Sequence, residues 1–275
     1  MAVDSNLMFY LAALALAGVT SGFAGGLFGI GGGLLRVPIF LYLFPAFAVA
    51  EEHVFHLAAG TSLALAIPTC LAASWRQWKD GNMESQLLKA WLPALLLGVG
   101  IGLVLSRWAS GLILRVFFVA ILLIQAVYFL MPNRPHVSDH LPGRKGLALL
   151  SSGIGAVSVL LGLSGGLLTT PALLAFGQSI HRAVALSSAG ALVLSTVATV
   201  GMIVSGVGAN ELTPYSLGYV DLPAFAVMMP TVMLSAPVGV RLANRLPDRP
   251  LELIFGVCIV VLAIDMSWQV LNKIG

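Results

Sequence analysis

The chain has 275 residues, of which 59% are hydrophobic and only 9% charged, where soluble domains carry roughly a quarter charged residues. That balance excludes a soluble globular protein and defines an integral membrane protein. The formal net charge of +3 comes from basic residues scattered over short loops, so it reports membrane orientation and not a nucleic-acid-binding tract.

The N-terminal stretch MAVDSNLMFYLAALALAG has no Lys or Arg ahead of its apolar run and no clear small-residue cleavage motif. A cleaved signal peptide is therefore not expected. Apolar stretches near the ~20 residues that cross a bilayer run at 7–28, 56–75, 88–106, 111–131, 147–165, 183–205, 221–240 and 250–271. Two shorter ones occupy 34–50 and 167–177. Cys70 and Cys258 both fall inside these stretches, at positions that form neither a disulfide framework nor a metal-ligand spacing. Both read as packing residues.

Each short stretch follows a copy of one motif. FGIGGGLLRVP (28–38) returns as LGLSGGLLTTP (161–171), with six of eleven positions identical. A continuous helix satisfies its own backbone in lipid, so an unwound segment at membrane depth persists only where protein or a water-filled cavity meets the freed groups. Paired interruptions at matching places in two halves point to the substrate site of a transporter. The repeat continues downstream, where HLAAGTSLALA from His56 aligns with HRAVALSSAGA from His181. LPA at 92–94 recurs at 222–224, and Gly98 and Gly102 match Ser235 and Gly239. The halves, 1–131 and 147–275, meet in the Pro- and Gly-rich linker 132–146.

Lys and Arg decide between parallel and inverted halves. Four crossings per half would make the repeats parallel and put seven basic residues on each side. If each Gly motif instead forms a hairpin, the number of crossings per half is odd and the repeats are inverted. Arg36, Arg76, Lys79, Lys89, Arg134, Arg144, Lys145, Arg182, Arg241, Arg245 and Arg249 then face Arg107, Arg115 and Lys273 across the membrane. Lys/Arg excess marks the cytoplasmic side. The expected fold is thus an all-α polytopic membrane protein of two inverted repeats, about 8–10 transmembrane segments with Gly-interrupted helical hairpins, and both termini non-cytoplasmic.

GLFGIGGGLLRVP, HLAAGTS and their degenerate copies resemble the sulfite exporter TauE/SafE family of bacterial inner-membrane proteins, over essentially the whole chain. The resemblance implies a multi-pass inner-membrane transporter of small sulfur-containing anions such as sulfite or organosulfonates. The second half departs from the fuller motif at Ser164 and at Leu186–Ser187.

The residues point to an anion on their own account. Glycines ahead of a helix leave N–H groups unpaired at the positive end of its dipole, a natural anion site. Gly31, Gly32, Gly33, Gly165 and Gly166 let the backbone approach a ligand, and Ser164 adds a hydroxyl. Thr61, Ser62, Ser187 and Ser188 offer further neutral donors, though such hydroxyls also bond back to their own helix. Arg36, whose repeat mate is Thr169, is a functional candidate because it is a charge within a membrane element; the alternative is an Arg snorkelling to the cytoplasmic edge. His56 and His181 are candidates for proton coupling, or simple helix-start caps. Asp265 reads as a proton relay or an interfacial residue beside Trp268. Gly18, Gly22, Gly26 and Gly98 read as packing glycines.

The expected partners are a small anionic substrate and the bilayer, with no nucleic acid, metal, nucleotide or organic cofactor. Ion- or proton-coupled uptake and an anion channel are the competing readings; an enzyme is not expected, since no HExxH, GxSxG or paired-Asp constellation occurs. The orientation is testable: in a variant lacking native thiols, cysteines at Asn82 and Asn210 should label from opposite membrane sides. Labelling of both from one side would restore the parallel arrangement.

Overall fold

The computed structural model describes residues 2–28, 31–47, 49–131, 137–209, 212–213, 215–243, 245–246 and 248–274. Asn210 and Glu211 of the expected outward loop, and Arg134 of the linker, lie outside the described residues. Among the described residues there are ten α-helices: α1 (Ala2–Phe28), α2 (Gly33–Leu43), α3 (Glu51–Lys79), α4 (Ser85–Ser106), α5 (Gly111–Leu130), α6 (Arg144–Leu160), α7 (Gly166–Ala175), α8 (Ile180–Ser205), α9 (Leu222–Ala243) and α10 (Asp248–Ile274). A two-stranded antiparallel turn, β1 (Ser216–Leu217) with β2 (Val220–Asp221), precedes α9. Seven of the helices are long and apolar enough to cross a bilayer, so the chain is a polytopic all-α membrane protein.

The breaks fall where the sequence places glycine. Gly31 and Gly32 have φ of 70° and 78°, and Gly162 and Gly165 have 67° and 87°; this left-handed region costs an L-residue roughly 1–2 kcal/mol. The expected span 147–165 accordingly stops at Leu160. The helices that follow, α2 and α7, have 11 and 10 residues, rising only about 15–17 Å, half of a ~30 Å hydrocarbon core. Each also carries a proline at its sixth position, Pro38 and Pro171. The expected 34–50 helix ends at Leu43 and passes into a 3-10 turn at Phe44–Phe47.

α3 and α8 form the buried centre of the bundle. They run in opposite directions, because Gly60 lies against Met202 while Ala66 and Cys70 pack with Ala191. Around them each half grips the other. In α1 against α9, Gly18, Gly22 and Gly26 lie on Thr231, Ser235 and Ala236, which makes these helices parallel. In α4 against α6, Gly98 and Gly102 lie on Ser152 and Ala156, again in parallel. α5 and α10 close the periphery through Phe129 on Phe255, with ring centroids 4.7 Å apart.

α4 and α9 both have 22 residues, with Gly98 and Ser235 at the same position in each. That register aligns Pro93 with Pro230. The LPA recurrence at 222–224 is therefore out of register by two turns, since the second copy opens α9 and the first lies mid-helix.

Small residues carry these crossings because a Cβ would enter backbone. One built on Gly98 would collide with the Ser152 carbonyl, whereas Gly100, two residues on, meets nothing within 4 Å. We expect Gly98→Val to lower thermal stability in detergent by about 1–3 kcal/mol, the usual range for overpacking. Gly100→Val should melt close to wild type; equal losses in both would remove the α4–α6 crossing as the cause.

Candidate functional site

The two Gly turns meet in the interior. A Cβ built on Gly31 would approach Ser164 Oγ, its own repeat mate, to 2.5 Å and Cys70 Sγ to 3.2 Å. Ser62, from α3, donates its hydroxyl to the Gly162 carbonyl at 2.9 Å, tying a long helix of one half to the broken segment of the other. Thr69 Oγ1 reaches the Gly31 carbonyl at 3.5 Å. Unwound backbone here is thus met by protein hydroxyls, as membrane depth requires.

Gly32 and Gly165 cap α2 and α7 in the left-handed conformation. The Gly32 carbonyl accepts from Leu35 and Arg36 N–H (3.3 Å each), and the Gly165 carbonyl from Leu168 and Thr169 N–H at 3.2 and 2.9 Å. Upstream of those bonds, the N–H groups of Gly33 and Leu34, and of Gly166 and Leu167, have no intrahelical acceptor. A helix start of this kind attracts negative charge.

Arg36 gives the site its charge. It is fully buried, and its guanidinium folds back onto the Gly32 cap, with Nη2 2.9 Å from where a Gly32 Cβ would stand. Nε donates to Ser21 Oγ at 3.3 Å, while Nη1 and Nη2 have no hydrogen-bond partner among the described residues. The alternative of a side chain snorkelling to the cytoplasmic edge is not what the structure holds: Arg36 is fully enclosed by protein. A buried guanidinium with two orphaned nitrogens is costly unless an opposite charge completes it.

The other expected residues divide. Gly31, Gly32, Gly33, Ser164, Gly165 and Gly166 are together and buried. Thr169, the mate of Arg36, is buried but neutral. Thr61 Oγ1 accepts from the Asp221 backbone N–H at 2.9 Å, and Ser188 bonds back to the Ala185 carbonyl at 2.9 Å. Ser187 is buried with its hydroxyl unpartnered among the described residues.

Two residues expected only to pack are at the turns, Cys70 beside Gly31 and Ser158 facing Gly165, and two not singled out in the sequence are Ser21 on Arg36 and Ser195, buried with its hydroxyl unpartnered among the described residues. Ser195 occupies the repeat position of Cys70, a signal that the His56–His181 alignment already contained. Ser21 and Ser158 carry no such signal, since serine in an apolar helix reads as packing.

His56 and His181 part company. α3 begins five residues before His56, but α8 begins one residue before His181. His56 is consequently buried and donates from Nε2 to the Ser106 carbonyl at the end of α4 (2.8 Å), whereas His181 is exposed. His56 lies on the floor of an open cleft of about 1310 Å³ whose walls include Glu51, Glu52, Arg107, Arg115 and Tyr219. Arg115 pairs with Glu51 there at 2.7 Å. The Gly32 turn, by contrast, borders a cavity of about 20 Å³, room for roughly one water. Asp265 receives Tyr42 Oη at 2.5 Å and Gln269 Nε2 at 3.0 Å, away from both.

A polytopic bundle with two broken helices whose glycine turns meet in its interior, as Gly31 does with Ser164, belongs to the class of membrane transporters. The sequence pattern of the sulfite exporter TauE/SafE family matches residues 14–266, and the chain belongs to that family. It is 32% identical to a probable membrane transporter protein of Haemophilus influenzae over 257 residues, covering 91% of this chain and 96% of that one. It is 27% identical to a probable membrane transporter protein of Methanocaldococcus jannaschii, over 96% and 98% of the two chains. No solved structure matches it.

The two caps differ in what surrounds them. A Cβ on Gly165 would meet Leu194 Cδ1 at 3.2 Å and Ser158 Oγ at 3.6 Å, while one on Gly32 would meet the Ser21 carbonyl at 2.6 Å as well as Arg36. Gly165→Val should therefore remain folded and monodisperse in detergent, destabilised by about the 1–2 kcal/mol of its backbone conformation. Gly32→Val should lose more. Thermal unfolding of both decides, and equal losses would contradict the Ser21 contact.

Proposed function

We propose that this protein is a secondary transporter that exports small sulfur-containing anions, such as sulfite or organosulfonates, across the bacterial inner membrane by alternating access. One observation carries the reading: the orphaned Arg36 guanidinium lies on the cap of a helix start that itself meets the second Gly turn. The anion sits between the two turns. Gly33, Leu34, Gly166 and Leu167 offer N–H donors, Arg36 the opposite charge, and Ser62 and Ser164 hold the turns in place.

The halves are inverted repeats with both termini outside the cytoplasm. The antiparallel α3 and α8 support the inversion, and the parallel α1–α9 and α4–α6 pairs are compatible with it; the Lys/Arg excess supports the side on which the termini lie. Within that arrangement each Gly motif enters and returns on one side, and the His56 cleft opens outward. An open cleft at one end, with the Gly turns enclosed away from it, favours a carrier over a channel, whose pore would be continuous.

Reconstituted protein, loaded with and without unlabelled anion, should show counterflow of labelled sulfite. Arg36→Gln should weaken binding about 10- to 100-fold, since a hydrogen bond to a charged group is worth about 1.5–3 kcal/mol. Unchanged affinity in a folded Arg36→Gln protein would move the site away from the Gly turns.

A further inference from the structure

We infer that the strand pair β1–β2 is the outer gate of the transport path, a strap seated on α3 that must lift before the Gly turns open to the outward cleft. The inference rests on the orientation and the site proposed above, and it names what separates that cleft from that site. Along α3 the two are close: His56 is at the floor of the cleft and Ser62 is on the Gly162 carbonyl, an interval of about 9 Å of helix.

The strap fills that interval. The Tyr219 ring lies on His56, with centroids 5.2 Å apart, and the Tyr219 carbonyl is so near Gly60 that a Cβ there would collide with it. One residue further along α3, Thr61 Oγ1 accepts from the Asp221 N–H at 2.9 Å. On the other side the Tyr219 N–H donates to the Met202 carbonyl of α8 at 3.3 Å, and Gly218 lies against the Ile203 carbonyl. Non-helical backbone inserted between two spanning helices needs such partners, so the strap is seated in the bundle and not draped over it.

Asp221 determines what the strap travels with. It is buried, and its carboxylate accepts from the Ala224 N–H and from Thr213 Oγ1, both at 2.7 Å, which fastens the strap to the start of α9. Ser62 fastens α3 to the turn that follows α6. Lifting the strap therefore parts the Thr61 bond and the Tyr219 ring contact and leaves the Asp221 cap on α9 whole. The matching link of the first half, residues 80–84, is mostly exposed, and a Cβ on Gly81 would meet nothing within 4 Å. The seated strap thus belongs to one side of the membrane.

Cys70, buried beside Gly31, reports the opening. In intact cells, with Cys258→Ala removing the other thiol, a charged, membrane-impermeant methanethiosulfonate added outside should modify Cys70 slowly. Thr61→Val, which removes the bond at constant size, and Gly60→Ala, which sets a methyl group where the Tyr219 carbonyl lies, should each raise that rate about 10-fold, the population shift expected from one lost hydrogen bond. Thr61→Ser, which keeps the hydroxyl, should stay slow. Rates unchanged in both Thr61→Val and Gly60→Ala, with folded protein confirmed, would overturn the gate. A rise seen only in inside-out vesicles would overturn the orientation and the outer gate together. Labelled sulfite binding to the purified chain separates the two readings: a raised rate without sulfite binding leaves the gate and removes the anion site, and sulfite binding with unchanged rates does the reverse.

Discussion

Everything in this bundle is arranged around polar backbone that cannot be left alone in lipid. Breaking a helix at membrane depth frees N–H and C=O groups that water cannot reach, and each costs several kcal/mol if unmet. Here the breaks occur twice, at Gly32 and Gly165, and the two are placed against each other. Part of the freed backbone is met by α3, through Ser62 on the Gly162 carbonyl and Thr69 near the Gly31 carbonyl. That explains why α3 is the most enclosed of the helices. Its hydroxyls serve the turns, so it must stand between them.

The scaffold is duplicated but the chemistry is not. Arg36 answers to Thr169, Cys70 to Ser195, and Thr61 to Leu186. His56 is sheltered by an extra turn of α3, which α8 lacks, so His181 is left at the surface. Duplication supplies two facing helix starts, an arrangement a single hairpin cannot make. Divergence then places charge on one side only, which gives the centre a polarity that symmetry would forbid.

Much of the architecture was legible in the sequence, because hydropathy over ~20 residues is a direct reading of bilayer thickness. The long helices and both short ones lie where the apolar stretches and the Gly motifs put them. What was not legible is which face a residue presents. Hydropathy could not show that α6 stops at Leu160, since the residues after it are as apolar as those before; Gly162 in the left-handed region ends it. Nor could it choose between the LPA match and the Gly98–Ser235 match, which differ by seven residues; the equal lengths of α4 and α9 select the second, which aligns Pro93 with Pro230. Arg36 could be counted with the cytoplasmic residues because a hairpin in the sequence does not say whether its guanidinium extends to the membrane edge or turns inward. In the structure the side chain folds back and is enclosed on Gly32 and Ser21. The repeat identified equivalent positions, and burial then distinguished among them.

The cross-gripped halves constrain how such a protein can move. α1 of the first half is pressed along α9 of the second through Gly18, Gly22 and Gly26, and α6 of the second along α4 of the first through Gly98 and Gly102. These contacts set glycine against backbone at Ala236 and Ser152 and against the short hydroxyl side chains of Thr231 and Ser235, with no long side chain between the helices, so each pair is packed to move as one body. A motion that separates the sequence halves would have to break both. If access alternates, the bodies that rock are the α1–α9 pair and the α4–α6 pair, each drawn from both halves. The Gly31 and Gly162 turns then lie on opposite bodies, since one ends α1 and the other ends α6. Rocking would open and close the space between them, with the Ser62 bond to the Gly162 carbonyl as the contact that must stretch or hold.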